Sequence, residues 1–200
     1  MYLIFEEDGA FKTATIMADN DTSLQVETAS GKRAKIKSGN VLLRYSSPAP
    51  GELLGSAEAL AVDIEADFLW ECAGDGEFSF CDFADDYFGH KASAVEATAL
   101  LLALHSAPVY FHRKGKGRYR KAPADILAAA LAGLEKKRQQ ALAIERMVGE
   151  LKAFALPPEF GPMLNQLLYK PDRNRPETKA LEAACAETGL SAPHLLEKCG

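Results

Sequence analysis

The chain has no apolar run of about 18 residues or more, so no membrane-spanning helix is expected. The N-terminus carries no basic segment and turns acidic at Glu6, so no secretory leader is expected. Cysteine is scarce: Cys72, Cys81, Cys185 and Cys199 are scattered, with no CxxC pair. That spacing speaks against a disulfide framework or a structural zinc site, and it suits a reducing, cytoplasmic compartment. The histidines form no HExxH or HxH pattern, and no GxSxG occurs. Gly115 and Gly117 flank Lys116 without the rest of a phosphate-binding loop. No recognisable catalytic signature therefore stands in this sequence, and no cofactor is expected within it.

Positive charge is missing from one long stretch. Between Gly51 and Gly89 there is no Lys or Arg, while eleven Asp and Glu occur. The net charge of −5 hides the opposite bias elsewhere. Tyr110 to Lys121 holds six Lys and Arg and no acid, and Lys32, Arg33, Lys35 and Lys37 form a second basic stretch. Local fields steer partners, so this partition carries more information than the sum.

The pattern predicts an α+β protein. Residues 1–46 read as a small SH3-like β-barrel or meander. Short β-branched and aromatic runs at 2–5, 11–17, 23–27, 33–37 and 41–45 are separated by turn signals such as Asp8-Gly9 and Ser30-Gly31. Pro48, Pro50 and Gly51 then stop the sheet. Residues 51–122 read as a winged helix-turn-helix module. A first helix is expected from Leu53 to about Cys72, and a short one capped by Ser79 and Gly89. A third opens on the capping box Ser93/Glu96 and runs to about His105, and a hairpin over 109–121 follows. Residues 123–200 read as a helical region. It begins with a long helix from Pro123 to about Phe154, whose apolar stripe is interrupted at 135–140.

The hairpin is the strongest binding candidate. His112, Arg113, Lys114, Lys116, Arg118, Tyr119, Arg120 and Lys121 combine cations for phosphates with a ring for stacking. Strand alternation sets Arg118 and Arg120 on one face and Tyr119 on the other. The competing reading is a solvated hairpin neutralised by the acidic 51–89 segment. Lys32, Arg33, Lys35 and Lys37 read equally as a nucleic-acid strip or as edge-strand protection. Asp82, Asp85 and Asp86 share a helix face, which more simply gives an exposed acidic surface than a metal site. The helix after Ser93 is apolar nearly all round and carries no Lys or Arg, unlike a groove-reading helix.

Several strings resemble the N-terminal region of bacterial ribonuclease II family exoribonucleases, in the branch that bears a helix-turn-helix module. They are Tyr2–Gly9 with Phe11 and Lys12, Asp21–Glu27, Ser30–Arg33, Asn40–Arg44, Asp67–Glu71, Tyr87–His90, Ala107–Arg118, Leu134–Gln140 and Tyr169–Asn174. The resemblance implies a non-catalytic, RNA-positioning portion of a hydrolytic 3′→5′ exoribonuclease. It implies partners in the catalytic and S1 domains of the same enzyme. Mg²⁺ is then expected only in that catalytic domain, whose aspartate cluster is not in this sequence. Two alternatives stay open: a DNA-binding winged-helix regulator, and a protein-interaction scaffold.

Overall fold

The computed structural model describes residues 1–200, and the chain is α+β. Its packing divides into two compact units, Met1–Leu127 and Ala128–Gly200. In the first, strands β1 (Tyr2–Glu7), β2 (Ala10–Asp19), β3 (Ser23–Thr28), β4 (Arg33–Lys37) and β5 (Val41–Tyr45) form one antiparallel sheet of order β4-β3-β2-β1-β5. The expected turn residues are where the chain reverses: Asp8, Gly9 and Gly31 all adopt positive φ. The first four strands are a meander, and a single 3₁₀ turn at Ser38–Asn40 carries the chain across to β1.

The sheet is not a closed barrel. Strand β5 pairs with β1 rather than with β4, so β4 and β5 remain edges. Strand β1 is nonetheless buried on both sides. Leu3 and Phe5 pack with Ala14, Leu24, Val26 and Ile36, all from the sheet itself. Ile4, on the opposite face, joins Tyr45, Leu53, Leu100, Phe111 and Tyr119 in the larger core. The helices therefore share their core with the sheet, and each buried aliphatic side chain contributes about 1.5–3 kcal/mol.

The helix expected over 53–72 is two helices. Helix α1 (Pro50–Ala61) stops short, and α2 (Ala66–Cys72) restarts after an extended Glu65. The intervening Val62, Asp63 and Ile64 are two β-branched residues around an aspartate, all poor helix formers. Next come a short strand β6 (Glu77–Ser79), absent from the sequence pattern, and α3 (Phe80–Phe88). Ser79 caps α3 through its hydroxyl, which accepts from the Asp82 amide at 3.3 Å, and Gly89 ends it in the left-handed region. Helix α4 (Ala94–Ser106) starts on the full capping box, with Ser93 N–H donating to Glu96 at 2.8 Å and Glu96 N–H to Ser93 at 3.2 Å. Strands β7 (Phe111–Gly115) and β8 (Arg118–Lys121) complete a second sheet of order β6-β8-β7.

One group in α4 is out of place energetically. Thr98 is fully buried, and its hydroxyl has no hydrogen-bond partner. A buried, unsatisfied polar group costs about 1–3 kcal/mol, and valine has the same shape without it. Thr98→Val is expected to raise stability by about 1 kcal/mol. A higher urea midpoint at unchanged m-value checks this.

The second unit is helical. Helix α5 (Ala124–Lys152) follows Pro123 and runs into this unit; α6 (Leu164–Tyr169), α7 (Pro176–Thr188) and α8 (Ala192–Cys199) complete it. Met147, Leu151, Phe160, Leu167, Leu181, Leu195 and Leu196 form its separate core. No helix of the chain is long and apolar enough to cross a membrane.

Candidate nucleic-acid interface

The register of the second sheet sorts the hairpin side chains. Arg113 pairs with Tyr119 across β7 and β8, and Phe78 pairs with Tyr119 across β6 and β8. On this face Tyr119 is buried and Phe78 half-buried, and Arg113 is exposed but reaches toward β1. His112 pairs with Arg120, Glu77 with Arg120 and Ser79 with Arg118, and these positions face solvent. Arg118 and Arg120 thus share the exposed face, as strand alternation predicts.

Tyr119 does not offer a stacking surface. It is 2% exposed, with Phe111 and Phe83 in the same core, and burial pushes its hydroxyl up to about 12. Arg113 turns inward too. Its guanidinium donates to Glu6 of β1, a carboxylate that is 7% exposed. The hydrogen bond to Glu6 raises the Arg113 pKa and matches its charge to that carboxylate, although the side chain stays 39% exposed. Lys121 is likewise internal. Its ammonium donates to the Ala73 carbonyl at 2.8 Å, lies 3.3 Å from Asp75, and sits 5.0 Å over the Trp70 ring. Trp70 is itself fixed by donating to the Ala122 carbonyl at 2.8 Å.

The solvent face is different. Arg118 pairs with Glu77, both about half exposed, so this bridge is weak. Arg120 donates only to the backbone carbonyl of Asp75, at 3.1 Å, which leaves its charge unmatched. Lys116 donates to the neutral Asn40 side chain. His112 and Lys114 are exposed without a hydrogen-bond or ion-pair partner.

On β4, Arg33 lies 3.3 Å from Glu27, which faces it in register. Lys32, Lys35 and Lys37 are exposed and make no ion pair. Lys35 and Lys37 alternate with the inward Ile36. Because Asn40 accepts from Lys116, the hairpin tip sits one 3₁₀ turn beyond Lys37. Two basic stretches distant in sequence are therefore brought side by side.

Gly117 fixes that arrangement. It has φ of +68°, and a Cβ there would approach the Phe80 ring at 2.9 Å and Leu42 at 3.4 Å. Its carbonyl accepts from the Phe80 amide at 3.0 Å. Only glycine allows the tip to lie this close to α3 and β5.

Elsewhere the candidate chemistry is already engaged. Asp85 binds Lys91 at 2.7 Å and the Ala92 amide at 2.8 Å, and these hydrogen bonds lower its pKa. No group of three or more metal-ligating side chains is clustered. All four cysteines are free thiols, and burial pushes Cys81 up to about 11. Seven of the thirteen residues of α4 are buried, and its Glu96 is occupied by the cap and by His90 at 3.1 Å. Asp75 and Glu77 come from the acidic 51–89 stretch that the sequence offered as a neutralising partner, whereas Glu6 and the tether Asn40 carry no signal in the sequence.

Comparison of the chain with family models, with curated proteins and with solved structures finds no match.

Proposed function

We propose that residues 1–127 are an RNA-binding module that holds the phosphate backbone without reading sequence. The observation that carries this is the joining of Lys35 and Lys37 to Lys114 and Lys116 through the Lys116–Asn40 contact, none of the four facing a carboxylate. Unmatched surface cations neutralise phosphates and release counterions, which yields affinity with little specificity.

The order α2-β6-α3-α4-β7-β8, with β8 between β6 and β7, supports a winged helix-turn-helix reading in which the hairpin is the wing. In that reading α4 stands in the position of a recognition helix. Its burial and its lack of Lys or Arg argue against major-groove readout, so the wing and the β4 edge make the contacts. RNA single strands and A-form duplexes, recognised through backbone and shape, suit such a surface better than B-DNA. The resemblance to helix-turn-helix-bearing ribonuclease II enzymes extends the proposal. The module would be a cytoplasmic, non-catalytic portion that feeds RNA to a catalytic domain and its S1 companion, and Mg²⁺ belongs to that domain's chemistry.

The test uses the full chain and a single-stranded RNA titrated across salt concentrations. Lys35, Lys37, Lys114 and Lys116 changed together to Ala should flatten the slope of log K against log salt by about 2–3, at about 0.7 per lost phosphate contact. Arg113 and Lys121 are left intact because they hold the fold. An unchanged slope in the quadruple variant would sink the assignment. So would a random-duplex selection that returns one defined DNA motif.

A further inference from the structure

The middle of α5 is not covered by the other helices of the Ala128–Gly200 unit. Every residue from Leu131 to Leu142 is exposed, including Leu131, Leu134 and Leu142 at 37%, 49% and 49%. A helical stretch of this length receives little stabilisation from its own propensity in water, so an uncovered face is a liability. The face has a definite composition. Leu131, Glu135, Arg138 and Leu142 follow spacings of four, three and four residues, the seam of a two-stranded coiled coil. Lys136 and Lys137 fall on the opposite side, where they stay in water.

The order of these four residues is self-complementary. Reversed, it reads leucine, cation, anion, leucine, so a second copy running antiparallel about a two-fold axis between Lys136 and Lys137 matches it at each position. Leu131 then meets Leu142 of the second copy, and Glu135 meets Arg138 of the second copy. Within one chain Arg138 already donates to Glu135 at 2.9 and 3.1 Å, so both groups are oriented at the seam. From this palindromic charge and leucine pattern we infer that α5 is an isologous self-association surface, through which two copies pair antiparallel over residues 131–142. The two leucines supply the apolar contact. The central Glu135–Arg138 pairs set the register, as polar groups at seam positions do. With so short a seam the dimer is weak and concentration-dependent. This inference does not depend on RNA binding.

Sedimentation velocity on the full chain tests it, with circular dichroism to verify that each variant keeps its helices. The wild-type chain should shift from monomer to dimer as concentration rises. Glu135→Arg alone sets cation against cation across the axis, and Arg138→Glu alone sets anion against anion. Each should weaken dimerisation at least tenfold. Mixing the two single variants restores both cross-axis pairs, so a heterodimer should form where neither variant dimerises alone. An intrachain role for the pair would give no such rescue. A wild-type chain that stays monomeric up to about 1 mM overturns the proposal. Single variants that dimerise as wild type does, or a mixture that stays monomeric, overturn it equally.

Discussion

Arg113→Ala is expected to destabilise the Met1–Leu127 unit by about 3 kcal/mol while leaving RNA affinity nearly unchanged. Glu6 is almost fully buried on β1 and reaches water poorly, and Arg113 is the cation that meets it. Removing one member of such a pair leaves an uncompensated charge in low-dielectric surroundings, for which about 3–5 kcal/mol is typical. The Arg113 side chain is 39% exposed, which allows water to reach the vacated site and places the cost at the lower end. The pair also joins the two sheets, since β1 and β7 have no common ladder. Urea unfolding followed by Trp70 fluorescence reads this unit alone, because Trp70 is the only tryptophan. The double variant Glu6→Leu with Arg113→Met should recover most of the loss, because it removes both charges and keeps apolar volume. A drop in RNA affinity with unchanged stability would reverse the assignment of Arg113 from the interior to the binding surface.

The hairpin shows what a linear chain of residues reveals and what it conceals. Alternation separated Arg118 and Arg120 from Tyr119, because the strand period is a local property of the backbone. Which face turned inward was not local. It depends on Phe78 of β6 and on Glu6, which lies 107 residues before Arg113. The acidic 51–89 stretch does neutralise part of the hairpin, through Asp75 and Glu77, but the most buried partner comes from the first strand. Caps were legible for a similar reason to alternation. Ser79, Gly89, Ser93 and Glu96 act on amides within a few residues. The break between α1 and α2 is masked in the sequence because Leu60, Ile64 and Leu69 continue the apolar spacing across the poor helix formers Val62 to Ile64. Barrel and meander could not be told apart in the sequence because five strands with an apolar face look alike whether the last strand joins the fourth or the first. The 3₁₀ turn at Ser38–Asn40 decides that, and it also supplies the Asn40 tether that unites the two basic stretches.

Phe160→Ala is expected to unfold the Ala128–Gly200 unit and spare the other. Phe160 is fully buried at the centre of a core made only of residues from that unit, with Met147, Leu151, Leu167, Leu181 and Leu195. Deleting a buried phenyl ring costs about 3–5 kcal/mol, from lost transfer energy and the cavity left behind. A unit of this size holds a net stability of only about 3–5 kcal/mol from a single hydrophobic core. Neither a disulfide nor a clustered metal-ligand set reinforces it, so the two quantities meet. The cores of the two units share no residue, and Trp70 belongs to the first. Far-ultraviolet circular dichroism should therefore lose the helical signal of α6, α7 and α8, while the Trp70 fluorescence transition keeps its midpoint. If both signals moved together, the chain would be one cooperative structure rather than two. If neither moved, the Phe160 cavity would have to be filled by repacking of Met147 and its neighbours, and the variant should then retain wild-type protection against amide exchange along α7.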